Sequence, residues 1–185
     1  ELGEPGLNAR ELDELRKAKV LQEKRLAEYR KLTEQLASMV KTGKLQVKIR
    51  NGNMVIQLAN NILFDTGKTE VKKDGQDALT ELAAILKTIA NRRFLVAGHT
   101  DNVPISSKRY ASNWELSTAR SVNVVQYLQD AGVTPQVMAA AGYGEFDPVS
   151  SNETDDGKAL NRRIEIILLP NLDELPKLPK DLIEG

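Results

Sequence analysis

Asp101 and Arg120 are the residues whose charge and spacing best suit chemistry at a shared site. Asp101 closes the loop Gly98-His-Thr-Asp101, which follows the apolar run Phe94-Leu-Val-Ala97. That run reads as a buried strand, so the loop presents polar groups at the strand's carboxyl end. After a polar connection, Asn113 and Ser117 sit near the start of an apolar-periodic segment, with Arg120 inside its first helical turns. Open α/β sheets commonly bind ligands outside the carboxyl ends of their strands. A carboxylate and a guanidinium are thus delivered to one sheet end from two neighbouring elements. A fixed negative group beside a fixed positive one suits a zwitterion better than it suits bond breaking. The simpler alternative stays open: Asp101 caps a turn and Arg120 is its structural ion-pair partner.

Other chemistry is poorly supplied. His99 is the only histidine and there is no cysteine, which excludes thiolate metal sites, disulfides and any site built on two imidazoles. His99 also lacks an obvious nucleophile beside it, so packing or loop bracing is its expected role. No catalytic set, metal or cofactor is expected. Asp147, Asp155 and Asp156 lack the alternating ligands of a calcium loop and read as solvated acids. Trp114 reads as packing rather than as a sugar platform, and Asn113 can be a plain helix N-cap.

The elements that must position the pair follow from periodicity. From about Leu7 to Val40 the chain has no Gly or Pro and is rich in helix formers. Leu12, Leu15, Leu26, Tyr29, Leu36 and Val40 fall on a 3,4-type spacing, interrupted by Lys19, Gln22 and Thr33. This broken heptad predicts a helical stalk over residues 1–42, with a coiled coil that oligomerises the chain as one reading and a solvated helix as the other. Gly43 reads as its C-cap. Leu45–Arg50 and Met54–Leu58 alternate around Asn51-Gly52, a hairpin signal, with Val47 and Ile49 expected inward. Leu79, Leu82, Ala83, Leu86 and Ile89 share one face of a helix expected over 72–90. A second helix is expected over 114–131, then strands at Val137–Gly142 and Ile164–Leu169. Helices on one face of a mixed β-sheet, a two-layer α+β sandwich over residues 43–169, accommodate this order. The segment 170–185 carries three prolines and reads as an extended tail.

Charge balance narrows the partners. The 26 basic residues match the 26 acidic ones in 185, which argues against nucleic acid. No apolar run reaches the ~18 residues of a membrane helix. Any membrane anchor is expected upstream of this chain.

Five motifs in this order, Leu63-Phe-Asp-Thr-Gly67, Gly98-His-Thr-Asp101, Asn113-Trp-Glu-Leu-Ser-Thr-Ala-Arg120, Gly142-Tyr-Gly-Glu145 and Asn161-Arg-Arg-Ile-Glu165, resemble the OmpA/MotB carboxyl-terminal domain family. Asn102-Val-Pro-Ile105 and the run from Asn113 to Ser117 are most similar to the MotB branch. The resemblance implies non-catalytic binding of peptidoglycan in the periplasm of a Gram-negative-type bacterium, through the diaminopimelate of the stem peptide. By the family pattern Asp101 takes the ammonium and Arg120 the carboxylate, while Thr100 and Asn113 position loop and ligand. Leu116 matches the pocket wall. Of the two terminal arginines, Arg163 matches the one lining the site, ahead of Arg162. The implied role is to anchor a membrane-attached protein to the wall. The alternative is the periplasmic part of a MotB-type stator component.

Overall fold

The computed structural model describes residues 6, 8–89, 92–105 and 107–171. The proline-rich segment expected to be extended lies, from 172 on, outside the described residues. Helix α1 runs Ala9–Lys41 and is about 50 Å long at 1.5 Å per residue. Its residues to Gln35 belong to one compact unit and Leu36 opens another, which ends at Leu172. In this second unit Leu36 and Met39 are fully buried, whereas Val40 is exposed. The apolar seam therefore leaves the 36/40 spacing for 36/39 at the helix end. Gly43, at φ 74°, then reverses the chain, and its amide donates to the carbonyl of Val40 at 3.1 Å.

Five strands form one mixed sheet: β1 (Gln46–Arg50), β2 (Asn53–Ala59), β3 (Phe94–His99), β4 (Met138–Gly142) and β5 (Arg163–Leu168). Their order is β1-β2-β5-β3-β4. Only β3 and β4 are parallel. The intervening helices are α2 (Asn60–Leu63), α3 (Lys73–Leu86), α4 (Asn113–Asp130) and α5 (Asp155–Asn161). This is the expected α+β arrangement of a mixed sheet with helices, preceded by a long helix.

The hairpin forms at Asn51-Gly52, both at positive φ, with Val47 opposite Ile56. Ile49 shares the face of Val47 but is not buried. It is 72% exposed, because β1 is an edge strand and covers the core with little more than Val47. Helix α3 buries Leu79, Leu82, Ala83 and Leu86 but stops there, one turn short of the expected end, and Ile89 is only half-buried beyond it. These leucines share the core with Leu58, Val96, Ile164 and Ile166 of the central strands and with Val124 and Leu128 of α4.

Helix α4 approaches the sheet closely where two glycines face each other in register, Gly98 of β3 and Gly142 of β4. A Cβ on Gly98 would lie 2.3 Å from the carbonyl oxygen of Ser117, and one on Gly142 would lie 2.0 Å from Thr118 Oγ1. The missing side chains are what let the helix sit low enough to aim Arg120 at the ends of β3 and β5. Ser121 completes the contact, its hydroxyl donating to the Ala141 carbonyl at 2.7 Å.

Candidate ligand-binding cleft

A cleft of about 600 Å³ opens at the carboxyl end of β3. Its wall includes Asn60 and Phe64 from α2 and the turn after it, Thr100 and Asp101 from the loop after β3, Asn113, Leu116 and Arg120 from α4, and Arg162 from the entry to β5. The sheet ends and the start of α4 thus bring together five of the six expected site residues. A second groove of similar size, lined by Arg109, Tyr110 and Trp114, lies along the other side of α4 and holds neither Asp101 nor Arg120.

Asp101 is 7% exposed. Its Oδ1 accepts from the Val103 amide at 3.0 Å, a local turn that orients the carboxylate. Its Oδ2 accepts from Arg162 Nη1 at 2.6 Å. Thr100 braces the same loop: its hydroxyl donates to the Asp101 carbonyl at 2.8 Å, and its amide donates to Gly144 at 2.9 Å. Asn113 is not the helix cap. Ser112 holds that position, its hydroxyl accepting from the Trp114 amide at 3.1 Å. This frees the Asn113 carboxamide to donate to the carbonyls of Val103 at 3.1 Å and Asp101 at 3.4 Å.

Arg120 is 6% exposed, and its Nε donates to the Lys68 carbonyl at 3.0 Å. The guanidinium lies 5.1 Å over the Phe64 ring, a cation–π contact that fixes its plane. Its two terminal nitrogens have no hydrogen-bond acceptor among the described residues. Burial pushes the guanidinium pKa below its ordinary value; Tyr110 and Asp101 oppose that shift and Arg162 adds to it. The result is a held cation with a two-donor fork left for an anion, and a guanidinium fork matches a carboxylate in two parallel bonds.

Arg163 stands elsewhere. It is fully buried, with Nε donating to Glu165 Oε1 at 2.7 Å, Nη1 to the Asn161 carbonyl at 3.0 Å and Nη2 to the Asp147 carbonyl at 2.9 Å. Arg162 is the arginine that lines the cleft. As the first residue of β5, Arg163 pairs with Ala59 and His99, and the pleat turns it to the same face as Glu165. Arg162 precedes the strand and points the other way.

The OmpA family matches residues 63–162, more than half of the chain. This chain belongs to the OmpA family. Motility protein B of Bacillus subtilis (strain 168) is 36% identical over 127 residues, 68% of this chain and 49% of the relative. The chain therefore spans about half the length of that relative. Among solved structures, a MotB-like protein from Desulfovibrio vulgaris superposes with a TM-score of 0.74 at 28% identity, over 82% of this chain and 97% of that one. The cell wall anchor of the type VI secretion system from Pseudomonas aeruginosa gives 0.69 at 32%, over 75% and 96%.

The OmpA-family motifs take distinct physical roles in this structure. Phe64 of the first supports Arg120, a role that its apolar setting alone did not reveal. Asn161 of the last clamps the preceding loop, accepting from the amides of Val149 and Ser150 and donating to Ser150 and Asn152 at 2.8–2.9 Å. His99 stacks on Tyr143 with ring centroids 4.9 Å apart, and its Nε2 lies 3.4 Å from Glu165 Oε2. Burial pushes the Glu165 carboxyl up, but His99 and Arg163 outweigh it and hold the pKa down at about 2. Arg50 bonds Asp147 and stands 3.4 Å from Glu165, so Asp147 serves this buried network. Trp114 is half-exposed and stacks on Phe146 at 4.9 Å.

Proposed function

We propose that this domain binds peptidoglycan without cleaving it, by gripping the free zwitterionic end of diaminopimelate in the stem peptide. Asp101 accepts from the ligand ammonium, and the terminal nitrogens of Arg120 donate to the carboxylate on the same carbon. Thr100 and Asn113 hold the loop, and Leu116 packs against the ligand's methylene chain. Arg162, which lines the cleft, takes the role that the family resemblance implied for Arg163. It is bonded to Asp101 through a half-exposed side chain and can turn to the incoming carboxylate. The observation that carries this reading is the Arg120 fork, free of acceptors among the described residues and lining the cleft beside an oriented carboxylate.

The biological role proposed is wall anchoring in the cell envelope, in the periplasm of a Gram-negative-type bacterium. Residues 1–42 act as a helical stalk, with oligomerisation along it raising retention through effective concentration, and 43–169 act as the binding domain. No helix among the described residues is long and apolar enough to cross a membrane. Membrane attachment in this proposal rests on an anchor upstream. The kinship with Motility protein B favours a second reading, in which the same grip holds the stator of an ion-driven motor. The site chemistry is shared; the segment preceding the stalk separates the two.

The test is calorimetric titration of the stem tripeptide into the wild type, Asp101→Ala and Arg120→Ala. Wild type should bind with modest affinity and leave the peptide intact. Each variant should lose about 2–5 kcal/mol, which is effectively no detectable binding. Undiminished binding by folded variants would move the site elsewhere.

A further inference from the structure

We propose that Asn60 is a ligand-reading residue, whose carboxamide recognises a peptide bond next to the zwitterion. The inference rests on the peptidoglycan reading and extends it. Asn60 lies on the cleft wall at the junction of β2 and α2, and its backbone amide donates to the Arg162 carbonyl at 3.1 Å. It is thereby tied to the residue that pairs with Asp101. Only 7% of Asn60 is exposed, yet neither Oδ1 nor Nδ2 has a hydrogen-bond partner among the described residues.

Three other polar side chains of the cleft wall are already engaged. Asp101 uses both oxygens, Thr100 its hydroxyl and Asn113 its amide nitrogen. A buried carboxamide left unpaired costs folding free energy, and an apolar side chain of the same size would avoid that cost. Asn60 therefore carries polarity that the fold does not use. The terminal torsion of asparagine is soft, so the carboxamide can turn toward the cleft without backbone movement.

Its chemistry defines the class of partner. A carboxamide offers one donor nitrogen and one acceptor oxygen side by side and carries no charge. That pattern complements the N–H and C=O of one extended peptide residue. It has no charge with which to match an ammonium or a carboxylate. Once Asp101 and Arg120 hold the zwitterion, the other amino group of a peptide-linked diamino acid is a secondary amide. A free diamino acid presents an ammonium there instead. Asn60 thus favours the linked form.

The test compares the stem tripeptide with free diaminopimelate by calorimetry, using wild type, Asn60→Leu and Asn60→Ser, with thermal unfolding of each. Asn60→Leu should weaken the tripeptide about tenfold, the loss of one hydrogen-bonded pair. Free diaminopimelate should bind each variant within about twofold of wild type. The melting temperature of Asn60→Leu should equal or exceed that of wild type, since an unpaired polar group is removed. Unchanged tripeptide affinity in both variants overturns the inference, as does an equal loss for both ligands, which would make Asn60 a shaper of the cleft only. A folded wild type that binds neither ligand refutes the peptidoglycan reading itself and this inference with it.

Discussion

Methionine in place of Arg120 and methionine in place of Arg163 should have opposite consequences, although both guanidinium groups are buried and burial pushes both pKa values down. Arg163 makes three hydrogen bonds and neutralises Glu165, which is 2% exposed. Removing it leaves a buried carboxylate facing His99 and Arg50 at 3.4 Å each. Breaking a buried ion pair from one side typically costs about 3–5 kcal/mol. Arg120 makes one hydrogen bond and one ring contact. Those are worth about 1.5–3 and 0.5–2 kcal/mol. Against them stands the desolvation of a guanidinium whose fork is unpaired, several kcal/mol. The two sides nearly cancel, so Arg120→Met should lie within about 1 kcal/mol of wild type. Urea unfolding of both variants measures this directly, and titration with the stem tripeptide should find no binding by Arg120→Met. If Arg120→Met is as destabilising as Arg163→Met, Arg120 is a structural ion and the reasoning that reserves its fork for a ligand fails.

Two further outcomes follow from other contacts. Glu165 titrates at about 2 in the fold against an ordinary 4.5, so its pairing contributes stability above pH 4.5 that is lost as pH falls toward 2. The loss should approach about 3 kcal/mol, and Glu165→Gln should flatten the unfolding free energy across that pH window. A Cβ at position 98 would collide with the Ser117 carbonyl at 2.3 Å, backbone that cannot rotate aside. Gly98→Ala should therefore cost about 1–3 kcal/mol and lower the thermal midpoint by several degrees, with weaker tripeptide binding as α4 is pushed from the sheet.

The legible parts of the chain were those written in local pattern. The hairpin at Asn51-Gly52 was readable because that turn needs positive φ at both residues, and few residue types supply it. The buried faces of α3 and α4 were readable because helical spacing collects apolar residues on one side. Asp101 and Arg120 were readable as a pair because a strand end and a helix start carry them, and those positions converge in any sheet of this class.

The rest depended on which neighbour each residue met. Arg162 and Arg163 are chemically identical and adjacent, and a shift of one residue in a strand exchanges its faces. The register of β5 against β2 and β3 alone turns Arg163 inward to Glu165 and leaves Arg162 to the cleft. Ile49 alternates as an inward residue should, but its strand came to lie at the sheet edge, where little is available to bury it. Asn60 looks like any polar residue beside a turn. Its unpaired carboxamide becomes visible only when the surrounding donors and acceptors have been assigned to other partners. Periodicity and turn chemistry are properties of the chain; face, edge and unmet hydrogen bonds are properties of its packing.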